Sequence, residues 1–292
     1  MPASSAIWTS DGGGMSRAER KKQEKAAQAA LRRAGLPVGH DFPLLFAHTG
    51  NLRRILAQRP NAARAQEAAR HHLDALNRSL RQQAGAFALE CSKGCSYCCH
   101  NMVTASAPEI FLLARHFRKT DPSRRQDVLE KLKAADLAGR DLDPRQRYLA
   151  HIACGLLDEN GLCGAYESRP NVCRTMVSAS VAACRASFAG EPAQIPVPKP
   201  YGALRTAYSY TLLAALQAEG LDDRLYELNQ ALCIALETGD AEQRWLSGED
   251  IFAGIRHERV DAGEQPQIAL FLSVLAAGAE NSPLPANPWI AG

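Results

Sequence analysis

Apolar residues recur along most of this chain at helical rather than strand spacing. Between 61 and 83, Ala69, Leu73, Leu76 and Leu80 fall on one stripe. Three- and four-residue spacing of this kind puts side chains on one helix face, and Asn61 ahead of it can cap the start. Phe42, Leu44, Leu45 and Phe46, followed by Leu52, Ile55 and Leu56, predict a shorter helix within 40–60. Ser106-Ala-Pro108-Glu109 reads as a capping box with proline in the first turn, opening a helix that bears Ile110, Leu113, Ala114 and Phe117. Asp121-Pro122 begins another, with Val128, Leu129, Leu132 and Leu137 as its apolar contacts before Gly139. Leu204, Ala207, Tyr208, Leu212 and Ala215 predict a helix over 201–219, and Leu225, Leu228, Leu232 and Leu236 one over 222–238. Trp245, Ile251 and Phe252 make a further contact segment. The apolar run within 266–277 is too short to cross a bilayer and reads as a buried helix.

The periodicity fails in two stretches, and both are rich in cysteine. The first is Cys91-Ser-Lys-Gly-Cys95-Ser-Tyr-Cys98-Cys99; the second carries Cys154, Cys163, Cys173 and Cys184. A short loop with several thiols can bring them round one soft or borderline metal ion without distant help. Gly94 permits a tight turn between Cys91 and Cys95. Asp158-Glu-Asn160-Gly161 is a hairpin signal that brings Cys154 towards Cys163. Pro170 suits the first turn of a short helix carrying Cys173 and Arg174, and Cys184 sits on an alanine-rich helical stretch. The ninth cysteine, Cys233, lies in the apolar segment Ala-Leu-Cys-Ile-Ala-Leu and reads as core. Cys98 and Cys99 are chain neighbours whose side chains are expected to diverge. That favours two metals, or one polynuclear cluster, over a single ion, with the partition of ligands left open.

The combination of residues 91–99 with Cys154-Gly-Leu-Leu-Asp-Glu-Asn-Gly-Leu-Cys163 and Arg169-Pro170-Asn-Val-Cys173-Arg174 resembles the YkgJ-type cysteine-cluster family, a family of zinc- or iron-chelating proteins. The likeness covers about 87–190, and the chain departs from the shortest form of the motif by placing three residues between Cys91 and Cys95. The wider family includes flagellin lysine methylase, so the resemblance also implies a protein lysine methyltransferase relationship as an alternative. No loop for a methyl donor is recognisable in 190–292.

Composition adds fold class and compartment. Of 292 residues 46% are hydrophobic but only 6% aromatic, with alanine and leucine dominant, which favours packed helices. The expectation is a mainly α protein: a helical domain with a cysteine-rich metal-binding loop and short β-hairpin, plus C-terminal helices. Residues 1–15 read as disordered and 16–60 as a basic helical segment opened at Ser16 and interrupted by Gly35 and Pro37. The cysteine-cluster domain is placed at 61–190, the C-terminal helical region packed on it at 201–279, and a tail at 280–292. The proline-rich stretch 189–200 marks the boundary. Residues 1–90 hold 14 Lys and Arg against 7 Asp and Glu, so this part is +7 and the remainder −4. The charges are interleaved as on a solvated helix face and no recognition motif accompanies them, which argues against nucleic acid.

With neither a secretory leader nor a long apolar run, the reading is cytoplasmic with no membrane partner, where thiols stay reduced and free to hold metal. Cys91, Cys95, Cys98, Cys99, Cys154, Cys163, Cys173 and Cys184 are therefore the expected ligands, for an iron-sulfur cluster or zinc, with a protein partner left open. Lys93, Arg169, Arg174 and Arg185 stand close enough in sequence to offset the negative charge of tetrathiolate centres. His71, His72 and His100 are secondary candidates, for which packing is the simpler account. No phosphate loop, nucleophile elbow or paired-His hydrolase motif occurs. Iron-sulfur chemistry would make the chain an oxidoreductase or electron carrier, whereas saturated zinc sites would make it a structural or interaction module.

Overall fold

The computed structural model describes residues 42–281 and, ahead of them, 16–18, 21, 22 and 25. The expectations for 1–15, for most of the charged helix ahead of Gly35, and for the tail beyond 281 lie outside the described residues. Backbone at Arg17, Ala18, Lys21, Lys22 and Lys25 is helical.

The chain is mainly α, as its periodicity predicts. Helices α1 (Phe42–Leu56) and α2 (Arg64–Gln83) come first, and α3 (Ala107–Arg118) and α4 (Pro122–Gly139) follow the first cysteine stretch. Two of the three caps read for these helices are present. Ser106 and Glu109 close a capping box at the start of α3, and Asp121 accepts from the Arg124 amide at the start of α4. Asn61 does not cap α2: the N-cap position is Ala63, without a side-chain cap, and Asn61 Oδ1 accepts from the Ala63 amide at 2.9 Å in the turn before it. The second cysteine stretch supplies three short helices, α5 (Pro144–Leu149), α6 (Asn171–Thr175) and α7 (Val181–Phe188). The C-terminal part provides α8 (Lys199–Ala218), α9 (Leu228–Glu237), α10 (Ala241–Leu246) and α11 (Pro266–Asn281).

A small antiparallel sheet in the order β1 (Thr104–Ser106), β2 (Leu225–Glu227), β3 (His257–Glu258) ties distant parts of the chain together. It overturns one expectation. The helix predicted over 222–238 begins only at Leu228, and Leu225 sits in β2 opposite Ser106 and Glu258. Two further apolar positions are also corrected: Leu137 on α4 is 72% exposed and Leu44 on α1 is 49% exposed. Both lie on the outward face of helices whose other apolar residues already cover the core.

Three buried clusters hold the described elements, the smallest of them Ala75, Leu76 and Tyr208 between α2 and α8. Of the other two, the larger joins α2, α3, α4, α9 and α10 around Ile110, Phe111, Phe117, Leu132, Leu232, Trp245 and Phe252. The smaller joins α1, α8 and α11 around Phe42, Phe46, Leu213, Phe271 and Leu275. In the second, a Cβ at Gly278 would overlap the Phe46 ring, so glycine sets the close crossing of α11 on α1. No helix among the described residues is long and apolar enough to cross a membrane.

Candidate metal centre

The two cysteine stretches meet, held together by backbone contacts and by a few side-chain bonds, one of them from the Cys91 thiol to Ser178. Gly94 has φ +85° and Gly161 φ +72°, each in the left-handed region that suits glycine. The two turns pack so closely that a Cβ on Gly161 would come within 2.9 Å of the Gly94 carbonyl oxygen. The amide of Cys154 donates to the carbonyl of Cys99 at 2.8 Å, and the amide of Glu90 to that of Ser178 at 3.1 Å. The Glu90 carboxylate accepts from the Val181 amide at 2.7 Å, fixing the start of α7.

The expected turn after Cys154 forms. Leu157 and Cys163 share an antiparallel bridge, the Gly164 amide donates to the Leu156 carbonyl at 2.7 Å, and Asp158 Oδ1 accepts from the amides of Asn160 and Leu162. Only Gly161 of the Asn-Gly pair adopts positive φ. The reversal is therefore stabilised by Asp158 rather than by the doubly left-handed turn that the dipeptide suggests.

Three buried polar residues position the second stretch, and sequence reading assigned none of them that task. Glu109 Oε2 closes the α3 capping box while Oε1 accepts from the Asn171 amide at 2.8 Å, so one carboxylate sets the entry of α6 and with it Cys173. Asn171 donates in turn to Ser209 Oγ and the Arg205 carbonyl on α8. Asn229 Oδ1 accepts from the Gly155 amide at 3.0 Å. At Gly155 the chain rests directly on α4, since a Cβ there would approach the Leu132 backbone to 2.6 Å. The capping box was a visible signal for Glu109; Asn229 had none.

Within this frame the thiols fall into two overlapping neighbourhoods. Cys91 and Cys95 interact electrostatically with Cys98 and Cys184, while Cys173 interacts with Cys154, Cys163 and Cys98. Cys98 belongs to both. The Cys99 thiol is the leading influence on that of Cys98. Tyr97–His100 is a 3-10 turn, in which successive side chains are about 120° apart instead of the 180° of a strand.

Burial pushes the Cys154 thiol up to about 12 and the Cys173 thiol well above its usual range; Cys91, Cys95 and Cys163 are raised from the same leading cause. The Cys98 thiol is raised first by the Cys99 thiol beside it and then by burial. Without cation compensation these sulfurs are held as thiols. Cys91 Sγ accepts from the Ser178 amide at 3.2 Å. Among the described residues no three His, Cys, Asp or Glu side chains are already arranged round a single point as a metal would hold them.

The basic residues divide. Arg169 lies over the Tyr166 ring, 3.6 Å from its centre, and its charge reaches Cys98, Cys163 and Cys173. Arg174 is buried and clasps its surroundings, donating to the carbonyls of Arg169 and Glu167 and to Asn77 Oδ1. Arg185 donates to Tyr97 Oη at 3.4 Å. His100 donates from Nδ1 to the Ser96 carbonyl and packs edge-on against Phe188, which stacks on His151 at 3.9 Å. His72 is fully buried on α2 against His48, 3.2 Å between their ring nitrogens. Cys233 lies in the larger core on α9, away from both stretches in sequence.

The donor set fits a thiophilic metal: sulfur from two converging stretches, part-shielded from water, with a guanidinium to temper the charge. Comparison with known families agrees. Residues 90–192 match the CxxCxxCC family model, described as a "Putative zinc- or iron-chelating domain". Neither the curated proteins nor the solved structures contain a match to the chain.

Proposed function

We propose, from the premise that residues 90–192 are a zinc- or iron-chelating domain, that the thiols of Cys91, Cys95, Cys98, Cys99, Cys154, Cys163, Cys173 and Cys184 hold the metal. The observation that carries this reading is the convergence of the two cysteine stretches through the Gly94–Gly161 contact and the Cys154–Cys99 backbone bond. Eight thiols suffice for two four-ligand centres or one polynuclear cluster, and Cys98 lies where the two neighbourhoods join. Cys91, Cys95 and Cys184 form the outer set and Cys154, Cys163 and Cys173 the inner one, with Arg169 tempering the inner charge.

The chemistry such a centre supplies, if it is iron-sulfur, is one-electron transfer. Cys91 is exposed, which suits exchange with a redox partner. We therefore read the chain as an electron carrier or oxidoreductase component of a reducing compartment such as the cytoplasm, with the chelating domain at 61–190. A zinc-stabilised structural module is the second reading. It is favoured by the packing of Cys154, Cys163 and Cys173 against the larger core, where saturated zinc would act as a folding staple.

Purification without oxygen, followed by iron, zinc and sulfide analysis, separates the two. The redox reading expects iron with sulfide and a broad band near ~400 nm; colourless protein with zinc alone supports the staple. Folded protein containing neither metal overturns both. Cys95→Ser and Cys173→Ser are expected to lower bound metal and folded yield together, and Cys233→Ser to leave metal content unchanged.

A further inference from the structure

A cleft of about 630 Å³ opens between the end of α4, the start of α5 and the β2–β3 strands, lined by Gly139, Asp141, Arg147, Glu227, Arg256 and His257 among others. That is the size of a small-molecule site, for which roughly 300–1,000 Å³ is usual. Its distinguishing feature is Arg147, 1% exposed and among the largest fully buried side chains. Nη1 makes one long bond, 3.4 Å, to the Ala135 carbonyl, while Nε and Nη2 have no hydrogen-bond partner. Two of the neighbouring carboxylates are engaged elsewhere. Asp136 pairs with Arg140, and the Glu227 oxygens accept from Asn229 Nδ2 at 2.7 Å and from the Gln230 amide at 2.9 Å.

A buried guanidinium left without an anion is destabilising, and its persistence asks for a partner. Gly139 shows that the group is accommodated: any Cβ there would overlap Nη1. The two unused nitrogens, Nε and Nη2, form the side-on edge of the guanidinium, which donates two parallel N–H bonds to one carboxylate. Acidic groups in the same walls disfavour a dianion. Arg256 lines the same cleft, an exposed side chain held by the Leu142 carbonyl at 2.6 Å and Met102 Sδ, and a ligand that reaches the buried edge of Arg147 requires the cleft wall to adjust.

We propose that this cleft binds a small monocarboxylate, with Arg147 as its anchoring residue. The carboxylate reading does not rest on the metal reading, but the charge of Arg147 also reaches Cys154, so metal content is measured beside ligand binding. Saturation-transfer NMR on the full chain tests it, with acetate, short 2-oxo acids and α-amino acids as probes, inorganic phosphate as the dianion and methylammonium as the cation. At least one monocarboxylate is expected to bind, and phosphate and methylammonium are not. Arg147→Gln and Gly139→Ala are each expected to weaken that binding roughly ten- to hundred-fold, the range for losing a charge-assisted pair, with metal content unchanged. Arg147→Met is expected to fold at least as stably as the parent without ligand, because it removes an uncompensated buried charge. The proposal is overturned if the folded parent binds none of the carboxylates, if phosphate binds equally well, or if Arg147→Met retains the binding. Metal loss from the Arg147 variants without any change in carboxylate binding would overturn it too, making Arg147 a counter-charge for Cys154.

Discussion

Cys98 is the residue on which the arrangement of the thiols turns. Its thiol is influenced first by that of Cys99 and interacts with both the Cys91–Cys95 side and the Cys163–Cys173 side, so its loss touches every ligand group, whereas loss of Cys91 touches only the outer one. If the metal reading holds, Cys98→Ser removes a larger share of bound metal than Cys91→Ser, and elemental analysis of the two purified variants checks this. Equal losses would mean the neighbourhoods are not joined at Cys98. Glu109 makes a second residue-scale case: Glu109→Gln keeps the side chain's size but replaces one of its acceptor oxygens with a donor facing an amide. A cost of about 1–3 kcal/mol is expected in urea unfolding. How legible these roles were follows from chemistry. Thiols announce themselves by type and spacing, and a capping box by its four-residue frame. Asn229 binds the Gly155 amide from 74 residues away in sequence, so its task is visible only once β2 and α9 are placed.

At the scale of elements, a capping signal with a continuous stripe was readable in α3, a stripe alone in α2 and a cap alone in α4. The three-residue strands were not, because so short a run gives no alternation to count and Leu225 continues a plausible helical stripe. Pairing with β1, itself only Thr104–Ser106, decides the matter. The seam between α1 and α2 shows a related limit. His71 and His72 were visible, but their partner His48 was not. His48 and His72 stack 5.4 Å apart beside Tyr208, whose Oη is 2.7 Å from Ser79 Oγ. Burial holds the His72 imidazole down at about 3 and that of His48 well below its usual value, with His71 and the positive charges of Arg78 and Arg174 acting in the same direction. In the unfolded chain both titrate near 6.5. Between those values the unfolded state binds protons that the folded state refuses. The stability that the neutral pair contributes is therefore complete above about pH 6.5 and is lost as pH falls, at roughly 1.4 kcal/mol per pH unit for each histidine. Urea midpoints measured from pH 7.5 to 5 are expected to fall accordingly, and His72→Gln to flatten the slope. A flat profile in the parent would show that the pair is not buried neutral.

Across the whole molecule, the two larger cores bear differently on the thiols. Cys154, Cys163 and Cys173 pack against the larger cluster, which includes α3, α4 and α9, whereas the α1–α8–α11 cluster contains no cysteine. Polar ties run from α6 to α8, such as Asn171 to Ser209 at 2.8 Å, and α8 also gives Leu212, Ala215 and Leu216 to the larger cluster. A metal that binds the folded arrangement and not the unfolded one stabilises chiefly what its ligands order. Around the thiols that order otherwise rests on short helices and glycine turns, with little apolar burial: α7 has no buried residue among its eight. Chelation should thus act regionally. Hydrogen exchange before and after metal removal is expected to show lost protection in 90–99, 154–164 and α7, while the amides of α1, α8 and α11 keep theirs. Uniform loss across both cores would instead make the metal a condition for folding the entire chain, and no change anywhere would mean that the thiols do not organise this region through a metal at all.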